Sequence, residues 1–311
     1  MEWGKPVRAH LTRIATALTA ESRQNRREIP FTEQWLTRPH QGRALLGEAM
    51  TRLPLGEQKR RLLQAIAGTF PCQALLYKWR LSADPACPLC RAPTETFAHI
   101  QCWCPALQER RIQAHHSLVQ ALCAAVPAPW QVYRELTVAD LMSVQAPVDG
   151  YDQWQRMCDE LQDEDLEGSE EEAEAAASLR RKRPDAFLIS WGRRRLVILE
   201  FTRAYDRESD WALTTDDRKR QRYLPLQTKL ADNLPGWQVE TVALSVGVRG
   251  SIDELIWQDS LTRIGISRDG LTPVLRTLVE LALTECNEVL KARSAARINL
   301  AAAAGQSVNA T

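Results

Sequence analysis

The sequence of 311 residues lacks any long apolar run, and this absence excludes proteins that span a membrane. Its apolar stretches, such as residues 196–201, are far shorter than the roughly 20 residues that a helix needs to cross a bilayer. The first 13 residues contain no continuous apolar segment of the kind found in secretory signals. We therefore expect no membrane partner and a reducing compartment, in which cysteines remain thiols or bind metals.

An excess of charge of one sign is also missing, because 40 basic residues nearly balance 39 acidic ones. This balance hides a local contrast between two neighbouring segments. Residues 159–174 contain ten carboxylates and no aromatic residue, whereas residues 180–183 form a basic block. A segment so acidic buries little apolar surface, so we expect a solvated linker over residues 159–179.

Apolar periodicity predicts a helical region before the linker and a mixed region after it. The later pattern predicts strands over 186–190, 196–202 and 238–246, a helix over 214–233, a helix that starts at Ser251 with capping-box spacing, and a long helix from Pro273 to about Arg297. Strands interspersed with helices favour an α/β fold. The expected regions are a basic, helical N-terminal segment (1–60), a helical zinc-binding region (61–158), the linker (159–179), an α/β domain (180–300) and a flexible tail (301–311).

Four of the eight cysteines cluster within residues 87–104, and clustering in a reducing compartment favours metal ligation. Cys87, Cys90, His99 and Cys104 have the spacing C-x2-C-x8-H-x4-C. His99 and Cys104 are five residues apart, which does not match the phase of an α-helix, so Cys102 remains a competing fourth ligand. Four protein ligands would make a closed, structural Zn²⁺ site, and such a site would present the nearby basic residues Arg91, Arg110, Arg111, His115 and His116.

Two carboxylates of the α/β region are predicted to meet across a hairpin. If Gly192 and Arg193 form a two-residue type II′ turn, Asp185 lies directly opposite Glu200. The same register gives both faces of the hairpin apolar side chains, so the hairpin should be central and covered. Two buried carboxylates repel each other unless a cation lies between them, and their oxygens suit Mg²⁺ or Mn²⁺. The alternative is that Glu200 pairs with an arginine.

A charged helix follows this hairpin and offers a catalytic lysine. Lys219 and Tyr223 are four residues apart and share one helix face. An ammonium near the carboxylates could orient an attacking water and offset charge in the transition state. Lys229 and Arg222 are rivals for this role, and each could equally belong to a solvated helix face.

The order of these motifs resembles one protein family. Pro184-Asp185, fourteen residues, Glu200-Phe-Thr202 and then Lys219-x3-Tyr223 is similar to the PD-(D/E)XK nuclease pattern. More narrowly, it looks like the restriction-like endonuclease of site-specific non-LTR retrotransposons, in which a CCHC knuckle precedes the nuclease. Four further segments are similar to the sequences around the family's knuckle and nuclease motifs: residues 81–90, 95–100, 219–226 and 246–250. The likeness covers about residues 55–262.

The resemblance implies a restriction-endonuclease-like mixed sheet flanked by helices over residues 180–300, preceded by the mostly helical CCHC subdomain. It implies a nuclear enzyme that nicks target DNA to prime reverse transcription. By position, Asp185 and Glu200 would bind Mg²⁺, Lys219 would be the catalytic lysine, and Thr202 and Tyr223 would support them. We also expect the basic residues Arg110, Arg111, Arg181, Lys182 and Arg183 to contact DNA.

Three departures from the family pattern qualify these expectations. Glu200 stands where aspartate is frequent, and Arg222 stands where the family often has lysine. A Tyr-x-Asp-Asp polymerase motif is missing, so copying of element RNA would depend on a polymerase domain encoded upstream. A nuclease core that has become inert, leaving a zinc-dependent nucleic-acid-binding remnant, is the alternative function.

Overall fold

The computed structural model describes residues 43–147, 152–159, 174, 177–206 and 210–308. The predicted N-terminal segment as far as residue 42, most of the predicted linker (160–173) and the last three residues of the predicted tail lie outside these residues. No described helix combines the length and the apolar character that a bilayer span requires. The described residues form a mixed α/β fold with one four-stranded sheet, as the alternation of strand and helix patterns predicts.

The part of the chain before the acidic segment is mainly helical. Its elements are α1 (Arg43–Arg52), α2 (Glu57–Ile66), α3 (Gln73–Lys78), a π-helical turn (His99–Trp103), a 3₁₀ turn (Pro105–Leu107), α4 (Gln108–Ala124), β1 (Gln131–Arg134) and α5 (Val138–Leu141). The break between α2 and α3 falls at Gly68–Pro71, and α4 ends shortly before Pro127, as predicted. The short strand β1 has no predicted counterpart, because four residues carry too little periodicity to be recognised.

The part after the acidic segment alternates strands and helices. Its elements are β2 (Ala186–Ser190), β3 (Arg195–Ala204), α6 (Trp211–Asn233), β4 (Gln238–Gly247), α7 (Glu254–Arg263) and α8 (Arg268–Val308). Each predicted strand and helix of this part is present within a few residues. Helix α8 continues past its predicted end at Arg297, into the segment predicted as a tail.

The sheet has the strand order β1-β2-β3-β4. Strands β1, β2 and β3 pair antiparallel, and β4 lies parallel to β3 after the crossover helix α6. One face of the sheet packs against α6 through Tyr223, Leu226 and Leu230. The other face packs against α4, α7 and α8 in a core that also reaches α1 and α2. Both central strands are therefore covered on both faces, which explains why their residues are apolar without alternation.

The β2–β3 hairpin has the predicted register but a different turn. Phe187 pairs with Ile198 and Ile189 with Leu196, as expected from a two-residue turn. The strands are instead joined by a four-residue loop, because the pair Ser190 and Arg195 closes the ladder. Arg194, not Gly192, takes the left-handed conformation, with φ 49°. A four-residue loop and a two-residue loop centred on the same position give the same register. The expected type II′ turn was therefore wrong, whereas the predicted pairing of the two strands is confirmed.

The packing of Trp191 accounts for the longer loop. Its ring lies edge-on to Trp154, with centroids 4.9 Å apart, and to Trp237 at 5.6 Å. These contacts stabilise a 3₁₀ turn that holds the indole against the helical segment 152–159. No short-range sequence rule anticipates such a contact.

The start of helix α7 also differs from the prediction. Asp253 is the N-cap, and its carboxylate accepts hydrogen bonds from the backbone of Leu255 and Ile256, each at 3.1 Å. Ser251, the predicted cap, is fully buried and donates its hydroxyl to Asp206 instead. A tertiary partner therefore removed Ser251 from the capping role that its spacing predicted.

A buried ion pair joins the region of the cysteine cluster to helix α8. Arg293 donates to both carboxylate oxygens of Glu95, and the two side chains are 4% and 0% exposed. The backbone N–H of Gln73 donates to the same carboxylate at 2.8 Å. The pair therefore holds α3, the cysteine cluster and the C-terminal helix in one arrangement.

We expect Glu95→Gln to lower the free energy of unfolding by about 3–5 kcal/mol, because Arg293 would remain buried without a counter-charge. Chemical denaturation followed by circular dichroism measures this loss. The matched control is Glu57→Gln, which removes the exposed pair with Arg60 and should leave the free energy of unfolding nearly unchanged. Equal losses in the two variants would contradict the structural role of the buried pair.

Candidate functional site

The predicted zinc ligands come together in one cluster. The ligand atoms of Cys87, Cys90, His99 and Cys104 all lie within 4.8 Å of one another. Cys90 Sγ is 3.3 Å from His99 Nε2, and Cys87 Sγ is 3.9 Å from Cys104 Sγ. Three thiols and one imidazole at such distances could hold a metal such as zinc, for which this donor set is common.

A π-helical turn brings the histidine and the last cysteine into phase. The backbone N–H of Cys104 donates to the carbonyl of His99 at 2.7 Å, a bond that spans five residues. An α-helix would rotate residue 104 away from residue 99, whereas a wider π turn aligns them. Cys102 lies outside the cluster and near Arg203 and Asp206, so the fourth position belongs to Cys104.

Burial raises the pKa of two thiols of the cluster, those of Cys87 and Cys104. The pKa of Cys104 rises to about 12, mainly through burial and then through the neighbouring Cys87. Burial also raises the pKa of Cys87 and lowers that of His99, which keeps the imidazole neutral. Without a cation the thiols of Cys87 and Cys104 therefore keep their protons, and binding a divalent metal would release these protons.

We expect Cys104→Ser to lose bound zinc, whereas Cys102→Ser should keep it, because the structure includes only Cys104 in the cluster. Metal analysis of the purified variants gives the stoichiometry. Because the variant Cys104→Ser keeps only three ligands, it should bind zinc more weakly and have a lower melting temperature. Full zinc content in Cys104→Ser, or its loss in Cys102→Ser, would contradict the assignment.

Asp185 lies where strand β2 begins, and its side chain extends the ladder to β3. Its Oδ2 accepts the backbone N–H of Phe201 at 2.6 Å. Its Oδ1 is 2.8 Å from Nε2 of His115, on helix α4. Each carboxylate oxygen can accept more than one bond, so both retain capacity for a cation. The carboxylate is thus fixed in orientation from two directions.

Glu200 lies on β3 at the position that the hairpin register places opposite Asp185, and its side chain is only 6% exposed. Its Oε1 accepts a hydrogen bond from the ammonium of Lys219 on helix α6. Of the three basic residues considered for this role, Lys219 makes this contact, whereas the Arg222 guanidinium stacks on the Tyr223 ring at 5.6 Å. The predicted alternative, in which Glu200 pairs with an arginine, is therefore not what the structure contains.

The carboxyls of Asp185 and Glu200 interact electrostatically. Burial raises the pKa of Glu200, and the nearby charge of Asp185 raises it further, while Lys219 and the Tyr223 hydroxyl lower it. Burial and the Glu200 charge also raise the pKa of Tyr223, which keeps that phenol protonated as a hydrogen-bond donor. Two carboxylates next to one ammonium leave an excess of one negative charge.

One oxygen of this site has no partner among the described residues. Oε2 of Glu200 is buried and accepts no hydrogen bond, and the same holds for the hydroxyl of Thr202, two residues further along β3. A buried carboxylate oxygen without a partner is costly unless a cation occupies the space beside it. The donor set of hard oxygens and the excess negative charge both suit Mg²⁺ or Mn²⁺.

A groove of about 920 Å³ lies next to the two carboxyls, because His115 and Lys219, which contact Asp185 and Glu200, are among the residues that line it. Its walls combine the π-helical turn and α4 from one half of the chain with the end of β3 and the start of α6 from the other. Basic and imidazole side chains line it: Arg111, His115, His116, Arg203, Arg218 and Lys219. Two nitrogens of Arg111 are buried without a hydrogen-bond partner in the described structure, so this guanidinium can still bind an anion.

The basic residues predicted to contact DNA have different surroundings. Arg111 lines the groove. Arg110 instead forms an ion pair with Glu285, and Arg183 pairs with Glu135. The Lys182 ammonium donates to the carbonyl of Arg222 at 3.2 Å. Arg181 is exposed, and its contact with DNA, like those of the paired residues, stays a prediction.

His115 is a site residue that sequence reasoning did not find as a partner of Asp185. It was expected only as one of several basic groups near the zinc cluster. The two residues are 70 positions apart and lie on opposite sides of the acidic segment, so no local pattern relates them. Helix α4 also presents His116, which lies 3.3 Å from Glu135.

Another buried carboxyl lies on α6, one turn before Lys219. Asp216 is 1% exposed, and burial raises its pKa from 3.8 to about 7. The folded protein therefore keeps a proton that the unfolded chain releases near pH 4. Protonated Asp216 therefore makes its full contribution to the free energy of unfolding below pH 3.8, the pKa in the unfolded chain. This contribution is lost as the pH rises to about 7, the pKa in the folded protein.

We expect Asp216→Asn to gain stability relative to the unmodified protein as the pH rises from 4 to 7, with no further gain above pH 7. The amide carries no charge whose burial becomes costly. Urea denaturation at several pH values measures the difference, and Asp217→Asn, at an exposed neighbouring position, is the control. A difference between variant and parent that is independent of pH would contradict the shifted pKa.

No protein-family model matches this chain, and a comparison with curated proteins finds no match. The chemistry of the site must therefore be inferred from its geometry.

Proposed function

We propose that this protein is a metal-dependent endonuclease that nicks DNA in the groove beside Asp185 and Glu200. The observation that carries the proposal is the buried, unpartnered Oε2 of Glu200, on a carboxyl that also contacts Lys219 and lies beside Asp185. Two carboxylates and one lysine beside a basic groove are a set of groups that can carry out metal-assisted phosphodiester hydrolysis.

The roles of the chain's own residues follow from these contacts. Asp185 and Glu200 would hold one or two Mg²⁺ or Mn²⁺ ions, which when bound polarise a phosphate and lower the pKa of a water. The Lys219 ammonium orients the attacking water and offsets negative charge at phosphorus. Tyr223, whose hydroxyl donates to the carbonyl of Arg183 at 3.3 Å, lowers the pKa of Glu200, and the Thr202 hydroxyl on the same strand has no hydrogen-bond partner among the described residues.

The walls of the groove supply the contacts to the DNA backbone. Arg111 and Arg218 lie on its opposite walls, on α4 and α6 respectively. Phosphate contacts by such residues make binding depend steeply on salt. His115 fixes the orientation of Asp185 from the same wall as Arg111.

The resemblance to site-specific non-LTR retrotransposon proteins suggests which kind of endonuclease this protein is. We infer a restriction-endonuclease-like core and a CCHC zinc subdomain that together nick target DNA in the nucleus for target-primed reverse transcription. Target DNA and element RNA would be its partners, with an upstream polymerase domain supplying the copying activity. The metal cluster supports this inference because it precedes the carboxylate pair in the chain, as the family's knuckle does.

A second candidate is a nucleic-acid-binding protein without nuclease activity. It is favoured by the contacts that both carboxyls already have, because Lys219 neutralises Glu200 and His115 contacts Asp185. On this alternative the unpartnered oxygen is an unsatisfied group and not a metal ligand. DNA binding would then remain while cleavage fails.

We expect the protein to convert supercoiled plasmid to open circles in Mg²⁺, and Asp185→Asn and Lys219→Ala each to reduce this rate about hundredfold or more. Gel analysis of single-turnover nicking measures the rates. The matched control is Asp217→Asn, two residues from Lys219 but exposed and paired with Arg220. Its rate should equal that of the unmodified protein.

Two results would decide against the nuclease. Nicking by Asp185→Asn at the unmodified rate would exclude the carboxylate pair as its source. If the unmodified protein and all variants bind DNA in a salt-dependent way and none of them nicks it, the protein is a nucleic-acid-binding protein without nuclease activity.

A further inference from the structure

A second cavity adjoins the groove on the side of the metal cluster. It measures about 500 Å³. Seven residues line it: Thr96, Ala98, Trp103, Tyr205, Trp211, Thr214 and Thr215. Trp103, Tyr205 and Thr215 also line the groove, so the two spaces are adjacent and share one aromatic wall.

The lining of this second cavity, which we call the aromatic pocket, differs from that of the groove. Among the described residues, its lining side chains are three aromatic rings, three threonines and one alanine, and none of these is charged. The Trp103 and Tyr205 rings lie 6.3 Å apart between centroids and are inclined by 60°. A planar, uncharged ligand with hydrogen-bonding edges fits such a lining better than an ion or an aliphatic chain does.

Trp103 presents a free ring face to solvent at the edge shared by the two cavities. Its side chain is 62% exposed, although it is the last residue of the π-helical turn that brings His99 and Cys104 into the metal cluster. The turn that orders the metal ligands therefore also presents this indole at the rim of the groove.

Tyr205 is held from behind. The Arg249 guanidinium lies 5.0 Å from the centroid of its ring, and Arg249 itself is 3% exposed. Tyr205 directly follows β3, the strand that carries Glu200. The two aromatic side chains of the shared wall are thus anchored separately, Trp103 by the π-helical turn and Tyr205 by the sheet.

We propose that the aromatic pocket binds one unpaired nucleobase of the strand whose phosphates occupy the groove. This inference rests on the proposed nucleic-acid substrate and specifies its class. A base stacked on Trp103 has left its partner strand, so the preferred substrate is single-stranded or locally melted DNA. Arg111, Arg218 and Lys219 hold the adjoining phosphates, and the threonine hydroxyls meet the edge of the base.

The test compares one oligonucleotide as a single strand and as a perfect duplex. Fluorescence anisotropy without added Mg²⁺ measures binding to the full chain while cleavage is suppressed. Trp103→Ala should weaken binding of the single strand about tenfold, the usual effect of losing one stacked base, and leave the duplex nearly unaffected. Trp103→Phe keeps a stacking face and should restore most of the single-strand affinity.

The control is Trp79→Ala, which removes another exposed tryptophan that lines neither cavity. It should bind both DNA forms like the unmodified protein. Because Trp103 adjoins a metal ligand, the zinc content of Trp103→Ala is measured as well. If that variant loses zinc, Tyr205→Leu on the opposite wall decides the question by the same comparison.

Equal losses for single strand and duplex, or no loss with either, would overturn the aromatic pocket. Plasmid nicking, measured separately, distinguishes this failure from failure of the nuclease. Nicking without single-strand selectivity removes the pocket and leaves the enzyme. Selective loss of single-strand binding without nicking leaves the pocket and removes the enzyme.

Discussion

Burial of the Glu200 carboxyl at the end of a central strand is the constraint on which the rest of the site depends. A carboxylate that is 6% exposed loses most of its hydration, and burial accordingly raises its pKa. Lys219 and Tyr223 compensate for part of this cost, and both come from one face of the crossover helix α6. The adjoining Asp185 adds to the cost, so the pair is favourable only where a cation or a proton is also held.

The metal cluster contributes to the same groove from the other side. Its π-helical turn forms one wall, and helix α4, which follows directly, places His115 on Asp185 and Arg111 in the groove. The groove therefore exists only when the parts before and after the acidic segment pack together. The buried pair of Glu95 and Arg293 is one of the contacts that hold them in this arrangement.

Charge and apolar character are separated along the groove. The basic side chains surround the carboxylate pair, whereas the uncharged aromatic pocket lies beyond Trp103 and Tyr205. A nucleic-acid strand has the same two kinds of surface, because each nucleotide carries one charged phosphate and one flat, uncharged base. A strand that follows the groove can satisfy both surfaces at once, and a duplex with paired bases can satisfy only the first.

Local patterns in the sequence determined the strands β2 and β3, their register and the ligand set with Cys87, Cys90 and His99, because periodicity and short spacings act between neighbours in the chain. They left open whether Cys102 or Cys104 completes the cluster, since that choice depends on a π turn that α-helical phase does not describe. Tertiary structure alone decided the loop at Trp191, the cap at Asp253, the strand β1 and the contact between His115 and Asp185. Each of these depends on a partner distant in sequence, and the free energy of such packing is absent from any local window of residues.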